Sequence, residues 1–374
     1  MNSNSISVRA FMVLVIMFTI GTSILIAPAG LALLGHQDAW MSSIIGIAAN
    51  GVFLVLYIAL EKQGRDKSII ELSLSAFGKW IGGLLGFAFI AFFHLLAALM
   101  VGDLGFFLTT QIVPETPIEV LQLLFVIVVL FAARAGAVVY ARAAEIFFPL
   151  LVCMFILLIL SMIPIMDHRN FLPMLEFGVK PVLKGSFSYI GLQETVVLLM
   201  LYPYVNKTGG RNKAMAIGLL IGGIFLVVTT VCCIGVMGAS VTANQQFPAY
   251  VLAKKISIGH FLERIEGVMM FIWVLTIAVK VIITFDAAAR GLAQLTRAKD
   301  SRPFILPMGF GLIVLSLICY PNSVFVNNFL AKNWTPFALI FMLFIPLLLL
   351  VVLAVKNHFE ESKLSNPTAE TEDY

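Results

Sequence analysis

Glu194 is the only charged side chain between Ser186 and Tyr204, in a run that is otherwise mostly apolar. At mid-membrane depth such a group costs roughly 2.5–3.5 kcal/mol on insertion scales, so it turns toward a cavity or a partner. Three roles are open to it: pairing with the ammonium of a ligand, holding a proton that comes and goes, or locking two helices together. Two more charged groups lie in comparable apolar runs, Lys280 and the Asp103 of Val101-Gly102-Asp103-Leu104-Gly105. Lys280 shares a helical face with Thr276 and Thr284 by i, i+4 spacing, a polar stripe that must face the interior. Glu194 and Asp103 are the acids available to it. Asp103, nearer the outer end of its span, equally suits an access route.

The backbone offers a second kind of chemistry. Gly21-Thr22-Ser23 and Gly191-Leu192-Gln193-Glu194 each interrupt an apolar run, one in each half of the chain. Glycine makes local loss of helix inexpensive. The opened N–H and C=O groups are tolerated at that depth only beside protein or a water-filled cavity. They suit a zwitterion: a half-helix starting near Ile24 aims its positive end at a carboxylate, and free carbonyls accept from an ammonium. The expected substrate-binding set is Gly21, Thr22, Ser23, Ile24, Gly191, Leu192, Gln193 and Glu194, with Val101, Leu198 and Thr284 as neighbours that set selectivity. Asp103, Glu194 and Lys280 form the expected buried charge network. The competing reading of the first break is a kink that only packs helices closely.

The elements that hold these groups follow from composition. Of 374 residues, 60% are apolar and 12% charged, and the mean hydropathy is +1.02. Soluble chains carry about 25% charged residues, so this is a polytopic, all-α membrane protein. A net charge of +4 spread over short loops argues against nucleic acid as a partner. Cys153, Cys232, Cys233 and Cys319 fall in apolar runs without metal-ligand spacing, and read as small core hydrophobes. With no nucleophile–base pair, phosphate loop or metal constellation, neither enzymatic activity nor a cofactor or metal is expected.

Apolar runs of about 20 residues predict ten spans, near 9–34, 39–60, 80–111, 118–139, 144–166, 184–205, 213–238, 262–290, 303–321 and 334–356. Ala27-Pro28-Ala29 looks like a signal-peptidase site, but the run continues through Leu34 and further spans follow, so it is read as part of a retained first span. With the N-terminus inside, sixteen of the 24 lysines and arginines are cytoplasmic, seven are outside, and Lys280 alone is within a span. Residues 1–359 thus form a single transmembrane domain, with repeats near 9–166 and 184–356. Residues 360–374 read as a disordered cytoplasmic tail.

Lesser signals complete the picture. Ser68 to Gly78 and Thr242 to Ile258 are each read either as a short interfacial helix or as a loop, the second on the outer surface. Arg142 and Glu145 are expected to pair at the start of the fifth span, and His94 to be a satisfied interior residue. Gly82, Gly83 and Gly86, with Gly218, Gly222 and Gly223, read as packing faces. The phenylalanines are expected to face lipid for the most part.

Ser7-Val8-Arg9-Ala10-Phe11, Gly21 through Pro28, Gly191 through Glu194 and Leu201-Tyr202-Pro203-Tyr204-Val205 together resemble the amino acid–polyamine–organocation transporter superfamily. Within it they are most similar to the spore germination permease family, the B subunits of germinant receptors. The resemblance implies a 5+5 inverted repeat with spans 1 and 6 unwound. It also implies binding of a small nutrient, usually an amino acid, in the spore inner membrane, with A and C subunits as partners. No evident cation cage of hydroxyl and carboxylate ligands is present. The function expected is nutrient binding that triggers germination, and the alternative is a proton-coupled amino acid permease.

Overall fold

The first and sixth expected spans both stop partway across. In the computed structural model, which describes residues 5–64, 66–207, 209–255 and 265–365, Val8–Ile20 (α1) ends at Gly21 and Ser23–Gly35 (α2) resumes beyond it. Each piece has 13 residues, or about 20 Å at 1.5 Å per residue, short of a hydrocarbon core about 30 Å thick. Ala39–Gly64 (α3), Ile69–Gln111 (α4), Ile118–Ala135 (α5) and Ala137–Met162 (α6) complete the first half. The second half opens with Val179–Ile190 (α7), which gives way to 3-10 turns at Thr195–Met200 and Tyr202–Tyr204. Arg211–Ala243 (α8), Pro248–Lys254 (α9), Glu266–Thr296 (α10) and Arg302–Cys319 (α11) follow. The last path is Ser323–Phe329 (α12), Thr335–Leu339 (α13) and Ile345–Ser365 (α14), joined by π-helical turns.

Eight helical stretches among the described residues are long and apolar enough to cross a membrane. Length and apolarity therefore do not return the expected ten, because the two crossings that carry the breaks are assembled from short pieces. The packing nonetheless has the symmetry of an inverted repeat. Pairing α1 and α2 with α7 and its 3-10 continuation, α3 with α8, α4 with α10 and α5 with α11 maps the contacts onto themselves. Thus α1 packs on α8 as α7 packs on α3, and α5 packs on α10 as α11 packs on α4. The pairs α3–α8 and α4–α10 are their own counterparts.

Several local expectations are met or corrected by identifiable contacts. Ser68 caps α4, its Oγ accepting from the Glu71 N–H while the Glu71 carboxylate accepts from the Ser68 N–H, so a short helix precedes the third span. Gly78, at φ 74°, turns it into that span. The turn expected near residues 139–144 lies instead at Gly136 (φ 95°), and Arg142 and Glu145 are inside α6. Glu145 pairs with Arg9 at 3.8 Å rather than with Arg142. The segment from Thr242 does form a short helix, α9, but most of its apolar residues are buried in the bundle, with Tyr250 edge-on to Phe107, and only Asn244, Lys254 and Lys255 are exposed; residues 256–258 are outside the described set. Helix α14 extends to Ser365, so a disordered tail from residue 360 is not what the described part shows; residues 366–374 are outside it. Many phenylalanines fill the interior, including Phe89, Phe92 and Phe93. Gly218 and Gly222 are packing positions as expected, since a side chain on either would collide with α1, whereas one on Gly83 would meet only Leu295 at 3.8 Å.

Both described termini gather at one end of the bundle. The Ile6 N–H donates to the Tyr204 carbonyl at 2.8 Å and the Asn206 N–H to the Ile6 carbonyl at 2.9 Å, tying the N-terminus to the end of the sixth path. Asn357 donates to Gln63 on the same face. Beside them Arg211 bridges Glu61 at 2.8 Å and Asp66, and Lys207 reaches Asp66 at 2.9 Å. Lys207 and then Arg211 hold the Asp66 carboxyl below its ordinary pKa. A lowered folded-state pKa gives stability that is present above the ordinary value and lost as pH falls through the lowered one. Asp66→Asn is therefore expected to lower the unfolding midpoint in detergent at neutral pH. Its gap from the unsubstituted chain should close on acidification below the ordinary carboxylate range; a gap independent of pH would exclude this linkage.

Candidate functional site

At the first break Gly21 has φ 24° and ψ −125°, a conformation other residues rarely adopt. Its N–H still donates to the Met17 carbonyl, closing α1. Pro28 inside α2 removes the N–H that the Ile24 carbonyl would otherwise accept from. At the second break α7 ends on Ile190, and the chain passes through Gly191 to Glu194 without α-helix. The two openings lie at the same depth and touch. Ser23 Oγ donates to the Leu192 carbonyl at 3.3 Å, and Gln193 Nε2 donates to Ser23 Oγ at 3.1 Å.

Lys280, 1% exposed, closes them. Its Nζ donates to Glu194 Oε2 at 2.8 Å, to the Leu192 carbonyl at 3.2 Å and to Thr22 Oγ1 at 3.4 Å. It also stands 5.1 Å from the centroid of the Phe18 ring, at the end of α1 where carbonyl dipoles favour a cation. Trp334 takes the other carboxylate oxygen: its Nε1 donates to Glu194 Oε1 at 3.1 Å and to the Gly191 carbonyl at 2.8 Å. Thr276 Oγ1 donates to the Gly21 carbonyl at 3.4 Å. The carbonyls of Gly191 and Leu192 are thus satisfied by side chains of the chain itself, while the Thr276 hydroxyl near Gly21 is shared with the Ile272 and Trp273 carbonyls of its own helix at 3.0 Å. This meets the requirement that polar backbone in a bilayer find internal partners.

The expected site residues divide accordingly. Gly21, Thr22, Ser23, Gly191, Leu192, Gln193, Glu194 and Lys280 converge on the double break. Thr284 donates to the Lys280 carbonyl one turn below. Ile24, Val101 and Leu198 are fully buried and line neither cavity described here. Asp103 does not join the Lys280 pair. It lines a separate cavity of about 230 Å³ at the end of the bundle away from the termini, whose wall also includes Leu192, Tyr189, Gln246 and Tyr320. A second cavity of about 200 Å³ opens between α3 and α8 beside Asn50 and Gln193.

Sequence reasoning missed two features. Trp334 gives no signal, since a tryptophan near a helix end ordinarily reads as an interfacial anchor. Asp286, fully buried on α10, was legible as an acid four residues before Arg290, which it meets at 2.7 Å. It also accepts from the Tyr140 hydroxyl at 2.9 Å, joining α10 to α6. His94, expected to be satisfied, has no partner for Nδ1 among the described residues.

The sequence profile of spore germination proteins matches residues 5–325, most of the chain. The chain belongs to the spore germination protein family. Its relatives include spore germination protein KB of Bacillus subtilis (strain 168), 29% identical over 376 residues, covering 97% of this chain and 98% of that one. Spore germination protein GerQB of Bacillus cereus is 27% identical over 310 residues, with coverage of 80% and 81%. Among solved structures, MhsT in complex with L-phenylalanine superposes with a TM-score of 0.68 at 14% identity, over 92% of this chain and 97% of the other. Mhp1, a nucleobase-cation-symport-1 family transporter in a closed conformation with bromovinylhydantoin bound, gives 0.67 at 13%, over 91% and 80%. At such identities the likeness is one of fold, in agreement with the inverted-repeat packing of this family member.

The ion pair makes a stability prediction. Removing one partner of a buried pair leaves an uncompensated charge, at a cost of about 3–5 kcal/mol. Lys280→Met is expected to lower the unfolding midpoint sharply, and adding Glu194→Gln to restore much of it. Equal destabilisation by the single and double variants, read by thermal unfolding in detergent, would contradict the pairing.

Proposed function

We propose that this chain is the nutrient-binding subunit of a spore germinant receptor and that its nutrient is an amino acid. It works in the spore inner membrane with both termini in the cytoplasm, alongside A and C subunits, and it catalyses no covalent step. The observation that carries the reading is the meeting of two helix breaks at one buried ion pair, in a chain of this family. Such a junction is bistable: ligand contacts that favour one arrangement of α2 and α7 reposition both half-helices together. Near-complete switching requires the nutrient to bind one arrangement better by about 5.5 kcal/mol.

The tethered ammonium of Lys280 favours a receptor over a cation-driven carrier. Its ammonium already meets three oxygens, and a side chain cannot be released on the other side. Proton-driven amino acid transport through Glu194 is the second reading, supported by the burial of that carboxyl group.

In spores, the double variant Glu194→Gln with Lys280→Met, which leaves no buried charge unpaired, is expected to abolish the nutrient response while keeping assembly with partner subunits, and Gly21→Val to abolish the response as well. A side chain at Gly21 would meet Lys280 and the Phe18 carbonyl, and its backbone conformation is strained for any residue with a Cβ. Labelled amino acid uptake by this chain alone in vesicles, lost when the proton gradient is dissipated, would establish the permease instead.

A further inference from the structure

The breaks are closed from within, so they present neither a free cation nor a free carboxylate to an arriving ligand. The cavity above them does. Its wall is formed largely by apolar residues of α2, with Leu192 on the break itself, and Asp103 is its one charged lining residue. Among the described residues no basic group forms an ion pair with Asp103, in contrast to Glu194. The polar part of the wall is otherwise made by Tyr320, Ser188, Tyr189 and the amides of Gln245 and Gln246.

We infer that this vestibule is a capture site for a primary ammonium group, with Asp103 as the residue that selects it. The inference rests on the receptor reading above and adds where the ligand first docks and by which of its groups. A carboxyl group facing an apolar cavity gains most from a ligand that brings the opposite charge and its own donors. An anion would meet a like charge and no basic side chain on the wall. For an amino acid the ammonium therefore faces Asp103, its apolar side chain meets α2 and Phe247, and its carboxylate is left to the Gln245 and Gln246 amides. The cavity touches Leu192, whose carbonyl accepts from both Lys280 and Ser23, so an occupant pressing on Leu192 bears directly on the closed junction.

The test uses the full chain in nanodiscs and isothermal binding to the twenty amino acids, then to the decarboxylated amine and the deaminated acid of the tightest binder. The amino acid and its amine are expected to bind, and the deaminated acid not to. Asp103→Asn should weaken the amino acid and the amine at least about tenfold, the scale of losing one partner of a desolvated charge pair. Asp103→Glu should retain binding, and Tyr320→Phe, which keeps the charge, should retain most of it. The series in the unsubstituted chain decides the matter even if Asp103→Asn does not fold: tighter binding of the acid than of the amine overturns the assignment. Undiminished binding by folded Asp103→Asn overturns it too, while leaving the receptor reading in place. If no amino acid binds the unsubstituted chain, both fall.

Discussion

Hydrocarbon offers no water to an opened backbone, and this constraint organises the protein around Lys280. Breaking two helices at mid-depth exposes carbonyls and a glutamate that would each cost several kcal/mol if left alone. One ammonium, one indole N–H and a few hydroxyls from α10 and the last helical path satisfy them. The charged and indole groups of the junction are paired, while Gln193 Oε1 and Thr195 Oγ1 beside them have no partner among the described residues.

The rest of the bundle can be understood as support for that junction. The pairs α4–α10 and α3–α8 form a symmetric frame against which the half-helices pack. Small residues let α1 and α8 approach closely along Gly218 and Gly222. At the terminal face the Ile6–Val205 pairing and the Arg211, Glu61, Asp66 and Lys207 cluster tie together the ends of the first, second and sixth paths and the start of α8. Movement of the half-helices thus meets ionic and backbone ties at one end and a vestibule at the other. The Asp286, Arg290 and Tyr140 cluster adds a second buried charge pair on α10, so that helix carries both of the polar knots described within the spans.

The family and the geometry complement each other. Membership follows from sequence similarity across most of the chain, while the likeness to transporters of known structure describes how the helices are arranged. In this arrangement the cation at the junction is the tethered side chain of Lys280.

Hydropathy alone determined that the chain is an all-α membrane protein, because long apolar runs have few other stable forms. The glycine breaks and the in-span charges were legible for a related reason: each is expensive in lipid and stands out against its neighbours. Periodicity placed Lys280 on an interior face with Thr276 and Thr284. What the sequence left open was decided by distances between residues far apart in the chain. Only tertiary structure chose Glu194 over Asp103 as the partner of Lys280, brought Trp334 to the second oxygen, and filled with side chains the backbone groups expected to hold a guest. Pairwise chemistry made both acids acceptable to the lysine; the crossing of α7, α10 and the last helical path put only one within reach.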